Sequence, residues 1–171
     1  MLYLLILLAA ASRLVVHEPN VAPITAIAIF AAAVLPKKQA FTLPLIARLV
    51  SDVLIGFFSW PLMVAVYASH AAGSLLGLWV KRNTGVAKVL SIAGSSLAAS
   101  VLFFLVTNFA FLYSEYPHTW AGIVESYTNA LPFFRGTLVG DLAYTAALFG
   151  AYEAAKYFIA KRQASKLTNP A

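Results

Sequence analysis

Residues 61–80 read PLMVAVYASHAAGSLLGLWV, twenty consecutive positions without lysine, arginine, aspartate or glutamate. A helix needs about 20 mostly apolar residues to cross the hydrocarbon of a bilayer, because each residue adds about 1.5 Å. The stretch therefore predicts a transmembrane helix. The whole chain shares this character, since 61% of its residues are hydrophobic and 11% are charged. We predict an all-α integral membrane protein with a single domain over residues 1–171.

Five further apolar segments flank this one. In chain order the six segments run over about residues 2–16, 21–35, 39–58, 61–80, 89–113 and 134–160. Segments one and two are short for a span, so either they cross a locally thin region or one of them is partly re-entrant. Segment one also has the short apolar run of a signal peptide, but it lacks a positively charged start. This favours a short first transmembrane helix.

Basic residues fall into three groups, which follow the second, the fourth and the sixth segment. The groups are Lys37 and Lys38, then Lys81, Arg82 and Lys88, then Lys161, Arg162 and Lys166. Cytoplasmic connections of membrane proteins are rich in lysine and arginine. We therefore predict a multi-pass protein of the cell membrane with six helices and both termini in the cytoplasm. The same scattering of charge argues against a nucleic-acid partner, despite the net charge of +6.

Polar residues gather at the opposite, outer level. Counted from the cytoplasmic lysines, Asp52 lies about 21 Å up and Asn108 and Asp141 about 30 Å up. Arg13 and Asn20 flank the first outer connection, and Arg135 lies above Asp141. Since ionisable residues inside a membrane are costly, they are candidates for a functional site. Arg48 and Asp52, four residues apart, have the alternative role of neutralising one another, and Arg13 that of reaching the lipid headgroups.

The outer connection over residues 114–132 combines aromatic and polar side chains. It holds Tyr116, His118, Trp120 and Tyr127, and it leads to Pro132, which we expect to open helix six. An aromatic belt at the membrane interface explains part of this composition. A pocket for a small ring-bearing molecule explains the interleaved polar groups as well, because such pockets combine apolar walls with a few fixed polar groups.

Two stripes of small residues recur at four-residue spacing. One is Ala65, Ser69, Gly73 and Gly77, and the other is Ala143, Ala147, Ala151 and Ala155. Small residues let helices approach closely in lipid, either within one chain or against a partner protein. The sequence contains none of the common catalytic motifs, it has no cysteine, and its three histidines lie far apart. We therefore expect no enzymatic activity, no cofactor and no metal site.

Several motifs carry a resemblance to a known family. Residues 20–30, NVAPITAIAIF, and residues 37–57, KKQAFTLPLIARLVSDVLIGF, resemble the second and third helices of S components of energy-coupling factor (ECF) transporters. More narrowly, HEPNVAPI, TNF, YPHT and PFFRGTLVGDLAY resemble an uncharacterised family of transport proteins placed near those S components. The resemblance runs from about Arg13 to Tyr152.

The resemblance implies a six-helix membrane subunit that captures a vitamin-like or precursor molecule at an outward site. It also implies a partner, a transmembrane coupling subunit with an ATPase pair. Motif positions of the family fall on Asn20, Asp52, Asn108, Tyr116, His118, Arg135 and Asp141. S components often dock through spaced alanines on helix one, whereas here Ala9, Ala10, Ala11 and Ser12 are contiguous.

These observations lead to two functional hypotheses. The first is a membrane protein that binds a small vitamin-like molecule for uptake. Its candidate substrate-binding residues are Arg13, Asn20, Asp52, Asn108, Tyr116, His118, Trp120, Tyr127, Arg135 and Asp141. Arg13 and Arg135 would meet a carboxylate or phosphate, and the aspartates and asparagines would orient hydroxyl or amine groups. The alternative is a structural membrane scaffold, of the cell-shape-protein type, that uses the small-residue stripes to assemble partners.

Overall fold

A computed structural model describes residues 3, 4, 7, 11 and 14 and residues 21–168, with side chains described as far as residue 165. These residues form α-helices, one short 3₁₀ turn and the connections between them, which confirms the all-α prediction. The helices are α1 (Ile24–Val34), α2 (Lys37–Ile55), α3 (Trp60–Lys81), α4 (Gly85–Thr107) and α5 (Trp120–Thr168). The 3₁₀ turn, Ala110–Leu112, lies between α4 and α5. Most of segment one lies outside the described residues.

Helix α1 forms the centre of the bundle. Every residue from Ile24 to Ala32 is buried, and α1 contacts each of the other four helices. A helix that is apolar on all sides is stable only when it is enclosed. The ring of Phe30 packs edge-on against Phe149 of α5, with the ring centres 5.2 Å apart. Segment two is therefore an 11-residue core helix, and its length of about 16 Å explains why the sequence looks short for a span.

The first small-residue stripe lies in the contact between α3 and α1. Ala65, Ser69, Gly73 and Gly77 are all buried. A Cβ atom added to Gly77 would overlap the carbonyl oxygen of Ile29 and would lie 2.7 Å from the Cβ of Ala32. The stripe thus serves packing within the chain. The second stripe differs, because Ala143, Ala147 and Ala151 are exposed on α5.

The lysine-rich connections lie together at one end of the bundle. The ammonium group of Lys81 donates a 2.7 Å hydrogen bond to the carbonyl oxygen of Leu35, one residue beyond the end of α1. At the same end, Lys88 forms a 2.8 Å ion pair with Glu153 of α5. These contacts join the connection after α1, the connection after α3 and the C-terminal part of α5. These basic residues therefore lie at one end of the bundle, as the sequence predicts.

Helix α5 begins far earlier than the sequence predicts. It starts at Trp120 and continues through Pro132, so Pro132 does not open the helix, and only residues 113–119 separate it from the 3₁₀ turn. Thr119 caps the start, because its hydroxyl accepts a hydrogen bond from the N–H of Gly122. Proline within a helix removes the hydrogen bond to the carbonyl four residues earlier and crowds that carbonyl, which can kink a helix without ending it. At 49 residues, α5 is about 73 Å long.

Two helices of the described chain, α3 and α4, are long and apolar enough to cross a membrane. By length and composition they indicate a membrane protein, although the same features occur in core helices. The other described helices do not meet that description, and α1, with 11 residues, is too short for it. The described helices therefore include two candidate spans, and the six spans stay a prediction from the sequence.

Candidate functional site

A cavity of about 440 Å³ opens at the end of the bundle opposite the lysine-rich connections. It lies where the start of α3 meets the end of α4, and α1, α2 and α5 complete its wall. The polar lining residues are Thr25, Arg48, His70, Thr107, Asn108, Tyr113, Thr137 and Asp141. The aromatic lining residues are Phe58, Phe103, Phe104, Phe133 and Phe134. The wall thus combines aromatic and other apolar side chains with a nearly equal number of polar ones, and such a mixture can hold and orient a small molecule.

One side of the cavity is formed by a buried ion pair on α2. The Nε atom of Arg48 donates a 2.7 Å hydrogen bond to Oδ2 of Asp52, and only 8% and 1% of these residues is exposed. The hydroxyl of Tyr67, on α3, donates to the same carboxylate oxygen at 2.9 Å. The guanidinium carbon of Arg48 lies 5.6 Å from the centre of the Phe58 ring. The sequence-based pairing of Arg48 with Asp52 is confirmed, and it is Arg48 that reaches the cavity wall.

Another part of the wall is formed by Asp141 on α5, which is 2% exposed. The hydroxyl of Ser100, on α4, donates to its Oδ2 atom at 2.6 Å, and Thr25 of α1 also hydrogen-bonds to it. Gly140 makes this arrangement possible, because an added Cβ would lie 3.0 Å from the Cα atom of Val21. The chain before α1 therefore lies directly against α5. Three helices converge on this carboxylate.

Aromatic rings close the remaining wall. Phe104 of α4 lies 4.6 Å from Phe134 of α5, measured between ring centres, and 5.6 Å from Tyr127. The imidazole of His70 lies 5.4 Å from the ring of Phe103, at an angle of 30°. Such offset and tilted pairs are favourable arrangements for aromatic groups. These rings give the cavity a wall rich in aromatic groups, which suits a ring-bearing ligand.

The connection between α4 and α5 lies over the same end. Asn108 accepts, through its backbone carbonyl, a 2.6 Å hydrogen bond from Ser126 of α5. The Tyr113 hydroxyl donates to the carbonyl of Thr107 at 2.6 Å, and burial raises the pKa of this hydroxyl above its usual value. The His118 ring stacks on Phe111 at 4.5 Å. These contacts hold the connection against the two helices.

The structure places two of the ten predicted residues, Asn108 and Asp141, in the cavity wall. Asp52 lies behind Arg48, and Tyr127 lies behind Phe104. Four others do not line the cavity, namely Tyr116, His118, Trp120 and Arg135. Tyr116 hydrogen-bonds to Asn129. Trp120 is 82% exposed, and Arg135 is also exposed. Arg13 and Asn20 lie outside the described residues.

The sequence argument missed several wall residues on α5. Ala130, Phe134, Thr137 and Asp141 follow the four, three, four spacing that places residues on one face of a helix. Asp141 was already among the predicted residues, and the expectation that helix six opens at Pro132 placed Ala130 outside the helix. A helical pattern continued upstream of Pro132 would have identified it. Within the described part of the chain, no group of three histidine, aspartate or glutamate residues lies close enough to hold a metal ion.

Comparison with curated proteins and with solved structures found no match for this chain. A family model matches residues 1–165, and its description is a family of unknown function, DUF6580. The match covers nearly all of the 171 residues, including every residue of the cavity wall. The chain therefore belongs to the DUF6580 family.

Proposed function

We propose that the protein is a multi-pass protein of the cell membrane that captures a small ring-containing molecule for uptake. The cavity between α1 and α5 is its binding site, and it opens to the outer side. The protein acts by binding and performs no chemistry of its own. The observation that carries the proposal is the cavity itself, an aromatic-walled space with a few fixed polar groups at the end remote from the basic connections.

Helix length and charge support the proposed membrane topology. Helices α2, α3 and α4 have 19, 22 and 23 residues, or about 28 to 35 Å each, which suits a hydrocarbon core of about 30 Å. The proposal keeps the six passes that the sequence predicts, with the short α1 shielded from lipid by the neighbours that bury it. The lysine-rich end then faces the cytoplasm, together with both termini. Uptake would require a transmembrane coupling subunit with an ATPase pair, as the resemblance to S components implies.

The orientation can be tested by introducing single cysteines, since the chain contains none. Ser114→Cys lies on the exposed connection near the cavity, and Thr84→Cys lies on the exposed connection at the lysine-rich end. In intact cells, a membrane-impermeant maleimide should label Ser114→Cys and spare Thr84→Cys. After permeabilisation both should react. Labelling of Thr84→Cys in intact cells would show that the orientation is inverted.

The binding site can be tested by filling the cavity. Ala130 is buried and lines the cavity, whereas its neighbour Leu131 is 56% exposed. Ala130→Phe should reduce the amount of bound small molecule by more than about tenfold, because a clash worth over 1.4 kcal/mol has that effect. Leu131→Phe should retain it. The measurement is mass spectrometry of small molecules released from the purified, full-length protein.

The paired variants also define the result that would contradict the proposal. A compound enriched equally in Ala130→Phe and in the unchanged protein does not occupy this cavity. If no compound is enriched in either the unchanged protein or Leu131→Phe, capture of a small molecule is not supported. Thermal denaturation of both variants serves as the control for folding.

The scaffold hypothesis now depends on one exposed stripe of small residues instead of two. Its first stripe, which includes Gly73 and Gly77, is occupied by packing against α1. Only the second stripe, represented by Ala147 on α5, has a surface that a partner protein can approach. Small residues on an exposed helix face permit close helix contacts in lipid. We therefore rank this function second.

A further inference from the structure

We infer that the cavity selects ring compounds carrying a positively charged nitrogen, and that Asp141 is the residue that selects them. This inference rests on the proposed function and narrows its substrate class. It departs from the sequence-based expectation, which assigned Arg13 and Arg135 to a carboxylate or phosphate on the ligand. Whether the cavity attracts an anion or a cation depends on which charges in its wall already have a counter-charge.

The positive charge in the wall is already neutralised. Among the described residues that line the cavity, Arg48 is the only lysine or arginine, and its Nε atom is bonded to Asp52 at 2.7 Å. Because both partners are buried, an acidic ligand group would have to compete with this carboxylate for Arg48. Arg135 is exposed and does not line the cavity. The described wall therefore offers little to attract an anion.

Among the residues that the structure describes, the negative charge of Asp141 has no such counter-charge. The groups that hydrogen-bond to Asp141 are the hydroxyls of Ser100, on α4, and Thr25, on α1. Hydroxyls stabilise a carboxylate but do not balance its charge. The described lysines lie at the other end of the bundle, as Lys81 and Lys88 show by their contacts. A carboxylate has about four acceptor sites, so Asp141 retains capacity for a donor from a ligand.

The remainder of the wall suits a cationic ring compound. Aromatic faces attract cations, and five phenylalanines line the cavity, with Phe104 and Phe134 only 4.6 Å apart between ring centres. The volume of about 440 Å³ corresponds to about 15 water molecules at roughly 30 Å³ each. The ligand should then be of the order of 15 non-hydrogen atoms. A protonated amine or ring nitrogen facing Asp141 would place its charge against the carboxylate.

The test measures the binding of matched ring compounds to the purified, full-length protein by thermal shift and calorimetry. Each set contains an amine, an alcohol and a carboxylate on one ring, for example 2-phenylethylamine, 2-phenylethanol and 3-phenylpropionate. The heterocyclic sets follow the same design at pH 7. We expect the amine to bind best within each set that binds. Asp141→Asn should reduce that preference by at least about tenfold, because it removes a charge-assisted contact.

A matched carboxylate provides the control. Glu125, on the same helix, is exposed and does not line the cavity, so Glu125→Gln should retain the preference for amines. Comparison within a set on the unchanged protein requires no variant, so the inference stays testable if Asp141→Asn fails to fold.

The outcomes separate this inference from the proposed function. Equal binding of the amine and the alcohol, or stronger binding of the carboxylate, would overturn the inference and leave the proposed function standing. An amine preference that survives Asp141→Asn would overturn the role of Asp141. Stabilisation by sodium chloride over equal potassium chloride, without any amine effect, would assign Asp141 to a metal cation instead. The absence of binding in every set would contradict the proposed function and this inference together.

Discussion

Asp52→Asn is expected to lower the melting temperature of the detergent-solubilised protein by about 6 to 20 °C. Removing one partner of a buried ion pair costs about 3 to 5 kcal/mol, and each kcal/mol shifts the melting temperature by about 2 to 4 °C in a chain of this size. The partner left behind is Arg48, which donates to Asp52 at 2.7 Å inside the bundle. Without Asp52, the guanidinium group remains buried without that carboxylate.

The double variant isolates the interaction between the two charges. Arg48→Gln combined with Asp52→Asn should be more stable than the sum of the single changes predicts, because neither charge is then left behind. Glu153→Gln is the control, since its side chain is 46% exposed in its pair with Lys88 and surface pairs contribute little. Strictly additive single effects, measured by thermal denaturation, would contradict a coupled pair.

Gly77→Ala is expected to lower the melting temperature by about 2 to 12 °C. The added methyl group would overlap the carbonyl oxygen of Ile29, which belongs to the backbone of the central helix and cannot rotate away. Overpacking of this kind costs about 1 to 3 kcal/mol, equivalent to about 2 to 4 °C for each kcal/mol. The measurement is thermal denaturation followed by intrinsic fluorescence.

Gly73→Ala, one helical turn away on the same stripe, is the matched control. A Cβ atom there would lie 3.5 Å from the Cβ atom of Ala28, an ordinary van der Waals distance. Alanine also favours the helix over glycine, so this variant should be as stable as the unchanged protein or more so. Equal losses in both variants would show that α3 does not approach α1 most closely at Gly77.

The helices could be predicted because their signals are local. The apolar run over residues 61–80 became α3, Trp60–Lys81, with a boundary error of one residue at each end. The limits predicted for α1 and α2, residues 21–35 and 39–58, differ from the observed ones by one to three residues. The error at α5 has a physical cause. A proline interrupts one hydrogen bond of a helix, and the neighbouring turns and the cap at Thr119 maintain the rest.

The site was predictable only in part, because side-chain partners depend on packing. The sequence identified Asp52, Asn108 and Asp141 as polar residues gathered at one level near the outer side. It could not show that Arg48 reaches the cavity while Asp52 lies behind it, since both face the same side of α2. Nor could it place Arg135, which lies on an exposed face of α5.

The sequence by itself determined an all-helical chain, its apolar segments and the separation of basic from other polar residues, because these follow from composition and from periodicity along one helix. Only the tertiary structure decided which polar groups meet. Ser100, Thr25 and Asp141 come from three helices, and their contact depends on the close approach of the chain at Gly140. The free-energy cost of a buried charge depends on whether an opposite charge lies beside it, and the packing of the helices determines which charges lie side by side.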